Sequence, residues 1–191
     1  MKIIKVSEAL KDLERVVIAK AIREGGILVY PTDTVYGIGC NAEKTASIEK
    51  IIAVKGRDPS KTFSVIAPSK AWIAENSKIT GENVKFIDNL LPGPYTVIVK
   101  AKKGMPYVVS KEGTMGVRIP RNEFCDFIRS QGAPFITTSV NLSTTPPTTS
   151  VREIPAALAQ IVDYAIDAGE LSGESSRVFD ITGRELQILR W

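Results

Sequence analysis

The sequence predicts an α/β sandwich built around a mixed sheet. Short apolar runs rich in β-branched and aromatic residues recur along it, among them ILVY (27–30), FSVIA (63–67), YTVIVKA (95–101) and FITTSV (135–140). Between them lie segments whose apolar residues follow helical spacing. The two kinds of segment mix without strict alternation, and some strands are sequence neighbours, which argues against a wholly parallel sheet.

The elements follow in order. MKIIKVSEALKDLERVV reads as direct entry into an amphipathic helix, with Ser7 as N-cap and Leu10, Leu13, Val17, Ala21 and Ile22 as the buried stripe. Gly25 and Gly26 stop it. ILVY is a buried strand closed by Pro31, and the polar segment TDTVYGIG follows. Helical spacing resumes near Thr45 with Ala46, Ile48, Ile51 and Ile52. FSVIA is a strand, and ENVKFIDNLL (82–91) is a helix ended by Pro92-Gly93-Pro94. YTVIVKA, GVRI (116–119) and FITTSV are strands, with RNEFCDFIRSQG (121–132) a helix between the last two. Ser150 and Glu153 suit a capping box for REIPAALAQIV (152–162), though Pro155 confines it to the first turn. VDYAIDAG (162–169), RVFDI (177–181) and LQILRW (186–191) close the chain as strands. STTPPTTS (143–150) is too short to part domains and reads as an ordered or lid-like loop within a single domain, 1–191.

Composition narrows the chemistry. With 191 residues, 43% of them apolar, the chain suits one domain with a sizeable core. No apolar run approaches the roughly 18 residues of a membrane span, and no signal peptide is visible, so the expected location is the cytoplasm. Cys40 and Cys125 are isolated, which argues against a disulfide framework or a Cys-rich zinc site. The net charge of +4 admits a polyanionic partner but lacks the Lys/Arg blocks of a nucleic-acid binder. There is no histidine, which excludes Ser-His-Asp and Cys-His catalysis and HExxH zinc sites. Carboxylates, hydroxyls, amines, guanidinium groups, backbone N–H groups and bound cations remain. Those are tools of phosphate handling.

Four polar clusters fall at strand ends or loops, where α/β proteins place ligands. PTDTVYG (31–37) sets Thr32, Thr34 and Tyr36 around Asp33, though a turn in which Asp33 bonds its own backbone explains it equally. IIAVKGRDPSKTFSVI (51–66) ends a helix in Lys55, which meets the helix dipole, yet Arg57 and Lys61 exceed what a turn needs. A guanidinium fork matches phosphate oxygens, and a solvated basic turn is the alternative. GTMGVRIP (113–120) places Arg118 inside an apolar strand, so it needs a carboxylate or a ligand. In TTSVNLS (137–143), alternation puts Thr137, Ser139 and Asn141 on one face and Thr138 and Val140 on the other. That row suits a nucleotide or amino acid, or simply a solvated sheet face.

The order PTDTVYGIG, KGR with a following Lys, PGPYTVIV, VRIP and SVNLS resembles the YrdC-like family of threonylcarbamoyl-adenylate synthases, from about Ile18 to Arg190. The resemblance implies one α/β domain, of the single-domain form, with a deep, basic cavity in a twisted sheet. It implies synthesis of threonylcarbamoyl-AMP and pyrophosphate from L-threonine, bicarbonate and ATP with Mg2+, the metal having no assigned protein ligand. A downstream transferase complex would pass the group to tRNA adenosine. Matched position by position, Lys55 and Arg57 become catalytic residues on the ATP phosphates, with Lys61, Thr114, Ser139, Asn141 and Arg190 completing the ATP site. Thr32, Arg118, Thr137 and Ser175 become the L-threonine site, Arg118 through the carboxylate. The rival reading is a non-catalytic module on the same fold that binds tRNA or double-stranded RNA. Three positions depart from the family pattern: Thr62 where many relatives have Pro, Ile66 where some have a threonine-contacting His, and Arg177 in GESSRVFD (173–180), an extra phosphate contact by expectation.

Overall fold

Strand residues here alternate between two covered faces, and that alternation builds the fold. The computed structural model describes residues 1–56, 63–104, 113–143 and 145–191. These form a ten-stranded sheet in the order β1 (Lys2–Lys5), β8 (Tyr164–Asp167), β2 (Leu28–Tyr30), β3 (Gly37–Gly39), β7 (Phe135–Ser139), β4 (Ser64–Ile66), β6 (Thr114–Arg118), β5 (Tyr95–Lys100), β9 (Arg177–Asp180), β10 (Gln187–Arg190). The sheet is mixed, as expected. The pairs β1–β8, β8–β2, β4–β6 and β5–β9 are parallel, and the other neighbours are antiparallel.

One face is covered by α1 (Val6–Ala9), α2 (Asp12–Glu24) and α6 (Glu123–Arg129), whose Ile18, Ile22, Phe124 and Ile128 pack on Leu28, Tyr30, Ile66, Phe135 and Ile166. The opposite face carries α3 (Thr45–Lys55), α4 (Lys70–Asn76), α5 (Glu82–Leu90) and α7 (Ala156–Ala159). Their Ile48, Ile51, Ile73, Ile87 and Leu158 pack on Val29, Val65, Val97, Val117 and Ile136. Each such side chain contributes about 1.5–3 kcal/mol of burial, so both layers are well held. Gly25, at φ +96, caps α2 in the left-handed region that glycine tolerates best.

Several local expectations are corrected. MKIIK is an edge strand, not helix, because Lys2–Lys5 pairs in parallel with Tyr164–Asp167 and buries Ile4. Ser7 therefore lies inside α1, whose N-cap is Lys5. The chain breaks between α1 and α2, and the second helix buries Ile18, Ala19 and Ile22 while leaving Leu13 75% exposed. Glu153 does not complete a capping box: Ser150 caps a short 3-10 turn at Val151–Glu153, and the Glu153 carboxylate accepts from Thr149. Besides β1, the sequence pattern does not signal β3 or α4, the latter capped by Ser69 accepting from Trp72 N.

Candidate functional site

The site lies where α1, α2 and α6 run out. On their face of the sheet, Ile66 and Phe135 are covered, but two residues along the same strands stand Ser64 and Thr137. Small and polar side chains continue the face onto β6 with Thr114, Gly116 and Arg118, and onto β5 with Thr96 and Ile98. They line a cavity of about 340 Å³. Thr137, Ser64, Gly116 and Ile98 pair side by side across β7, β4, β6 and β5, forming its floor. A Cβ on Gly116 would stand 3.1 Å from Ser64 Oγ and 3.4 Å from Thr96 Cγ2, so glycine is what keeps the floor open.

The PTDTVYG turn forms one wall, and its hydroxyls can be oriented by elimination. Thr32 Oγ1 donates its single proton to the Val35 carbonyl (2.7 Å) and accepts from Thr34 N (3.0 Å). The Thr34 hydroxyl, 2.9 Å away, must then donate to Thr32, leaving Thr34 Oγ1 to accept from Arg118 Nη2 at 3.2 Å. Asp33 does not close on its own backbone. Its Oδ1 accepts from Arg118 Nη2 (3.1 Å) and its Oδ2 from the Arg121 N–H (2.8 Å). The carboxylate that Arg118 required is thus Asp33, yet the buried Arg118 Nε has no acceptor among the described residues. A buried guanidinium N–H without a partner marks a place for a ligand oxygen.

The opposite wall comes from the chain's last strands. Arg190 Nε donates to the Ser176 carbonyl (2.7 Å) and Nη2 to Ser176 Oγ (2.9 Å), while Ser176 and Thr96 share a hydroxyl–hydroxyl bond of 2.9 Å. Burial lowers the Arg190 pKa, and the charge of Arg118 lowers it further. Two guanidiniums therefore feel one another within a cavity lined by hydroxyls, an arrangement that favours an anion. Arg177 is not part of the lining; it stacks over the Trp191 ring at 4.5 Å.

Lys55, the last residue of α3, is 4% exposed and points at the SVN turn. Its Nζ donates to the carbonyls of Ser139 (2.6 Å) and Asn141 (2.7 Å) and to Asn141 Oδ1 (3.2 Å). Asn141 Oδ1 also accepts from Ser139 Oγ (2.6 Å), and Ser143 Oγ returns a bond to the Lys55 carbonyl (2.8 Å). The helix end and the turn are tied in both directions.

Of the residues singled out in the sequence, Thr32, Thr114, Arg118, Thr137, Ser139, Ser175 and Arg190 all line the one cavity. Lys55 and Asn141 stand behind Ser139, while Arg57 and Lys61 lie outside the described residues. Thr138 also reaches the lining although alternation assigned it to the other face, since β7 ends one residue later. Sequence reasoning passed over Ser64, Thr96, Gly116 and Ser176. Thr96 was detectable as a lone hydroxyl within YTVIVKA. Among the described residues no group of three His, Cys, Asp or Glu side chains converges, and no helix is long and apolar enough to cross a membrane. Both cysteines are buried thiols; burial pushes Cys40 up to about 12 and Cys125 higher still.

These features define an α/β protein that gathers cations and hydroxyls in a cavity on the uncovered part of a sheet face. The chain belongs to the Sua5/YciO/YrdC family, whose profile, described as "Telomere recombination", matches residues 20–191. It is similar to a Methanocaldococcus jannaschii protein provisionally named as a threonylcarbamoyl-AMP synthase, at 36% identity over 173 residues, 88% of this chain and 82% of that one. The threonylcarbamoyl-AMP synthase of Vibrio campbellii is 30% identical over 186 residues, covering 95% of this chain and 99% of that one. The crystal structure of P. abyssi Sua5 complexed with L-threonine superposes with a TM-score of 0.89 at 27% identity. It matches 100% of this chain, which spans only 57% of the Sua5 chain.

Proposed function

We propose that this protein is a threonylcarbamoyl-AMP synthase, a nucleotidyltransferase that joins L-threonine, bicarbonate and ATP into threonylcarbamoyl-AMP and pyrophosphate for tRNA modification. The observation that carries the reading is Arg118: a strand guanidinium held by Asp33, its Nε without an acceptor among the described residues, on the wall of a hydroxyl-lined cavity. The names of the Methanocaldococcus and Vibrio relatives support it. Arg118 takes the threonine carboxylate, with Thr32, Thr137 and Ser175 around the amino acid. The hydroxyl proton of Thr32 is committed to Val35, so that residue contributes through its methyl or backbone. Lys55, Arg57, Lys61, Thr114, Ser139, Asn141 and Arg190 serve the nucleotide.

In the reaction the neutral threonine amine forms a C–N bond to bicarbonate, a C–O bond breaks and water leaves with a proton of the amine (attack on CO2 releases that proton alone), giving a carbamate. A carbamate oxygen then bonds to the α-phosphorus as the α–β bridging P–O bond breaks and pyrophosphate leaves. Negative charge grows on the phosphoryl oxygens, where fixed cations stabilise the transition state more than the ground state. Holding three reactants in one cavity supplies much of the remaining acceleration. Among the described residues no carboxylate cage forms, and we take Mg2+ to be carried in on the ATP phosphates.

The product would pass to a transferase that places it on tRNA in the cytoplasm. The cations described at the site face a cavity rather than an outer stripe, which favours the enzyme over the RNA-binding module. Purified protein supplied with L-threonine, bicarbonate, ATP and Mg2+ is expected to release pyrophosphate, and omission of threonine to abolish the release. Threonine-independent turnover, or no turnover with tight RNA binding, would overturn the reading.

A further inference from the structure

Tyr30 closes the strand that precedes the PTDTVYG turn and is wholly buried. Its ring packs edge-on against Phe135 (5.6 Å between centroids) and stacks with Phe124 (6.5 Å). Gly37 lies so close that a Cβ there would come within 3.0 Å of the phenol oxygen. Within this apolar box the hydroxyl has one side-chain partner among the described residues, Thr137 Oγ1, at 2.6 Å. Thr137 in turn forms no other side-chain hydrogen bond among them, and it lines the cavity.

The burial of the two oxygens decides which of them donates. If Thr137 donated, the Tyr30 proton would be sealed in the core without an acceptor, at a cost of about 1–3 kcal/mol. If Tyr30 donates, the spare proton belongs to Thr137, which can turn it into the cavity toward a ligand or water. An alkyl hydroxyl is also the better acceptor, because a phenol oxygen shares its lone pair with the ring. Tyr30 is therefore the donor.

We propose that Tyr30 is a positioning residue whose buried hydroxyl fixes the Thr137 hydroxyl as a donor into the cavity, so that this wall selects an acceptor oxygen of the substrate. Arg118, whose Nε also lacks an acceptor among the described residues, lies on β6 two residues beyond Gly116, and Ser64 pairs with both Gly116 and Thr137. Both donors line the same cavity, where a carboxylate could accept from them. Assigning that carboxylate to L-threonine rests on the function proposed above; the polarity of the hydroxyl pair does not.

Two measurements test it. A neutron structure of the deuterated protein should show deuterium on Tyr30 Oη between the two oxygens and the Thr137 deuterium turned into the cavity. Deuterium on Thr137 pointing at Tyr30 overturns the proposal, whatever the substrate is. In the pyrophosphate assay, Tyr30→Phe should raise KM for L-threonine about fivefold and leave kcat within about twofold. Thr137→Val should raise KM about tenfold, and the double variant should match Thr137→Val alone, because Tyr30 acts through Thr137. Thr137→Ser, which keeps the hydroxyl, should retain the sensitivity to Tyr30→Phe. Additive effects of the two substitutions, or no change of KM in a Tyr30→Phe protein of unchanged Tm, also overturn it. If the wild type neither turns over nor binds L-threonine, the functional reading fails while the neutron result still decides the hydroxyl polarity.

Discussion

Asp33 holds Arg118 from a position 85 residues earlier in the chain, through a 3.1 Å bond between Oδ1 and Nη2. The other Asp33 oxygen is fixed by the Arg121 N–H, so the carboxylate cannot swing away without losing a second bond. The pair is nearly closed to solvent, with both side chains 10% exposed. Asp33 therefore orients the guanidinium, leaving Nε for a ligand. Asp33→Asn keeps the shape and the Arg121 bond but loses the charge that holds Arg118. It should raise the L-threonine KM roughly tenfold, the scale of one charge-assisted bond, with little change in ATP saturation. An unchanged threonine titration would show that Arg118 is held adequately by Thr34 alone.

Lys55 is a tie as well as a candidate phosphate contact. Its ammonium bonds two carbonyls and one carboxamide oxygen of the Ser139–Asn141 turn. Lys55→Met removes the charge and strands those acceptors in a largely buried place, which should cost about 2–4 kcal/mol of stability. Chemical denaturation would read this as a lower midpoint at unchanged slope. A variant that loses activity while keeping its full stability would point instead to a side chain whose role lies in the ligand complex.

Two glycines give opposite predictions. A Cβ on Gly39 would collide with the Ile136 carbonyl oxygen, in the backbone of a neighbouring strand that cannot yield. Gly39→Ala should cost at least about 3 kcal/mol and lower expression of folded protein. At Gly116 the nearest atom is the movable Ser64 hydroxyl, at 3.1 Å. Gly116→Ala should fold with a Tm within a few degrees of wild type, and Gly116→Val should fill the cavity floor and cut threonine-dependent pyrophosphate release at least about tenfold. Full activity in Gly116→Val would place the reaction outside this cavity.

The sequence made the site more legible than it made some of the fold. PTDTVYG, VRIP and TTSVNLS stand out because each sets polar groups against a buried strand, where a hydroxyl or guanidinium needs a partner. Which partner it finds is a tertiary matter: pairing Arg118 with Asp33, or Lys55 with Asn141, requires knowing the strand order. Gly37–Gly39 reads as loop because two of its three residues have low strand propensity, and it becomes a strand only between β2 and β7. Lys2–Lys5 waits for Tyr164–Asp167 from the far end of the chain. Ser64 passes for a stray hydroxyl until the register places it in the cavity.

The buried phenol and thiols set an alkaline limit on stability. Burial raises the folded-state pKa of Tyr30, Cys125 and Cys40, the last to about 12. In the unfolded chain these groups titrate near their ordinary values of about 8.5 for Cys and about 10 for Tyr. Below those values both states hold the protons, and the contribution to stability is fully present. Above them the unfolded chain releases protons that the folded state retains, so folding weakens as pH rises. The slope approaches about 1.4 kcal/mol per pH unit for each group in its window. Denaturation midpoints should therefore be flat from pH 7 to about 8 and fall beyond about 9, with the Tyr30 contribution entering near 10. Cys40→Ala should flatten the earlier part of the fall, whatever it costs at neutral pH through lost packing. A wild-type midpoint unchanged to pH 11 would mean that these groups ionise as readily in the folded protein as in the unfolded chain.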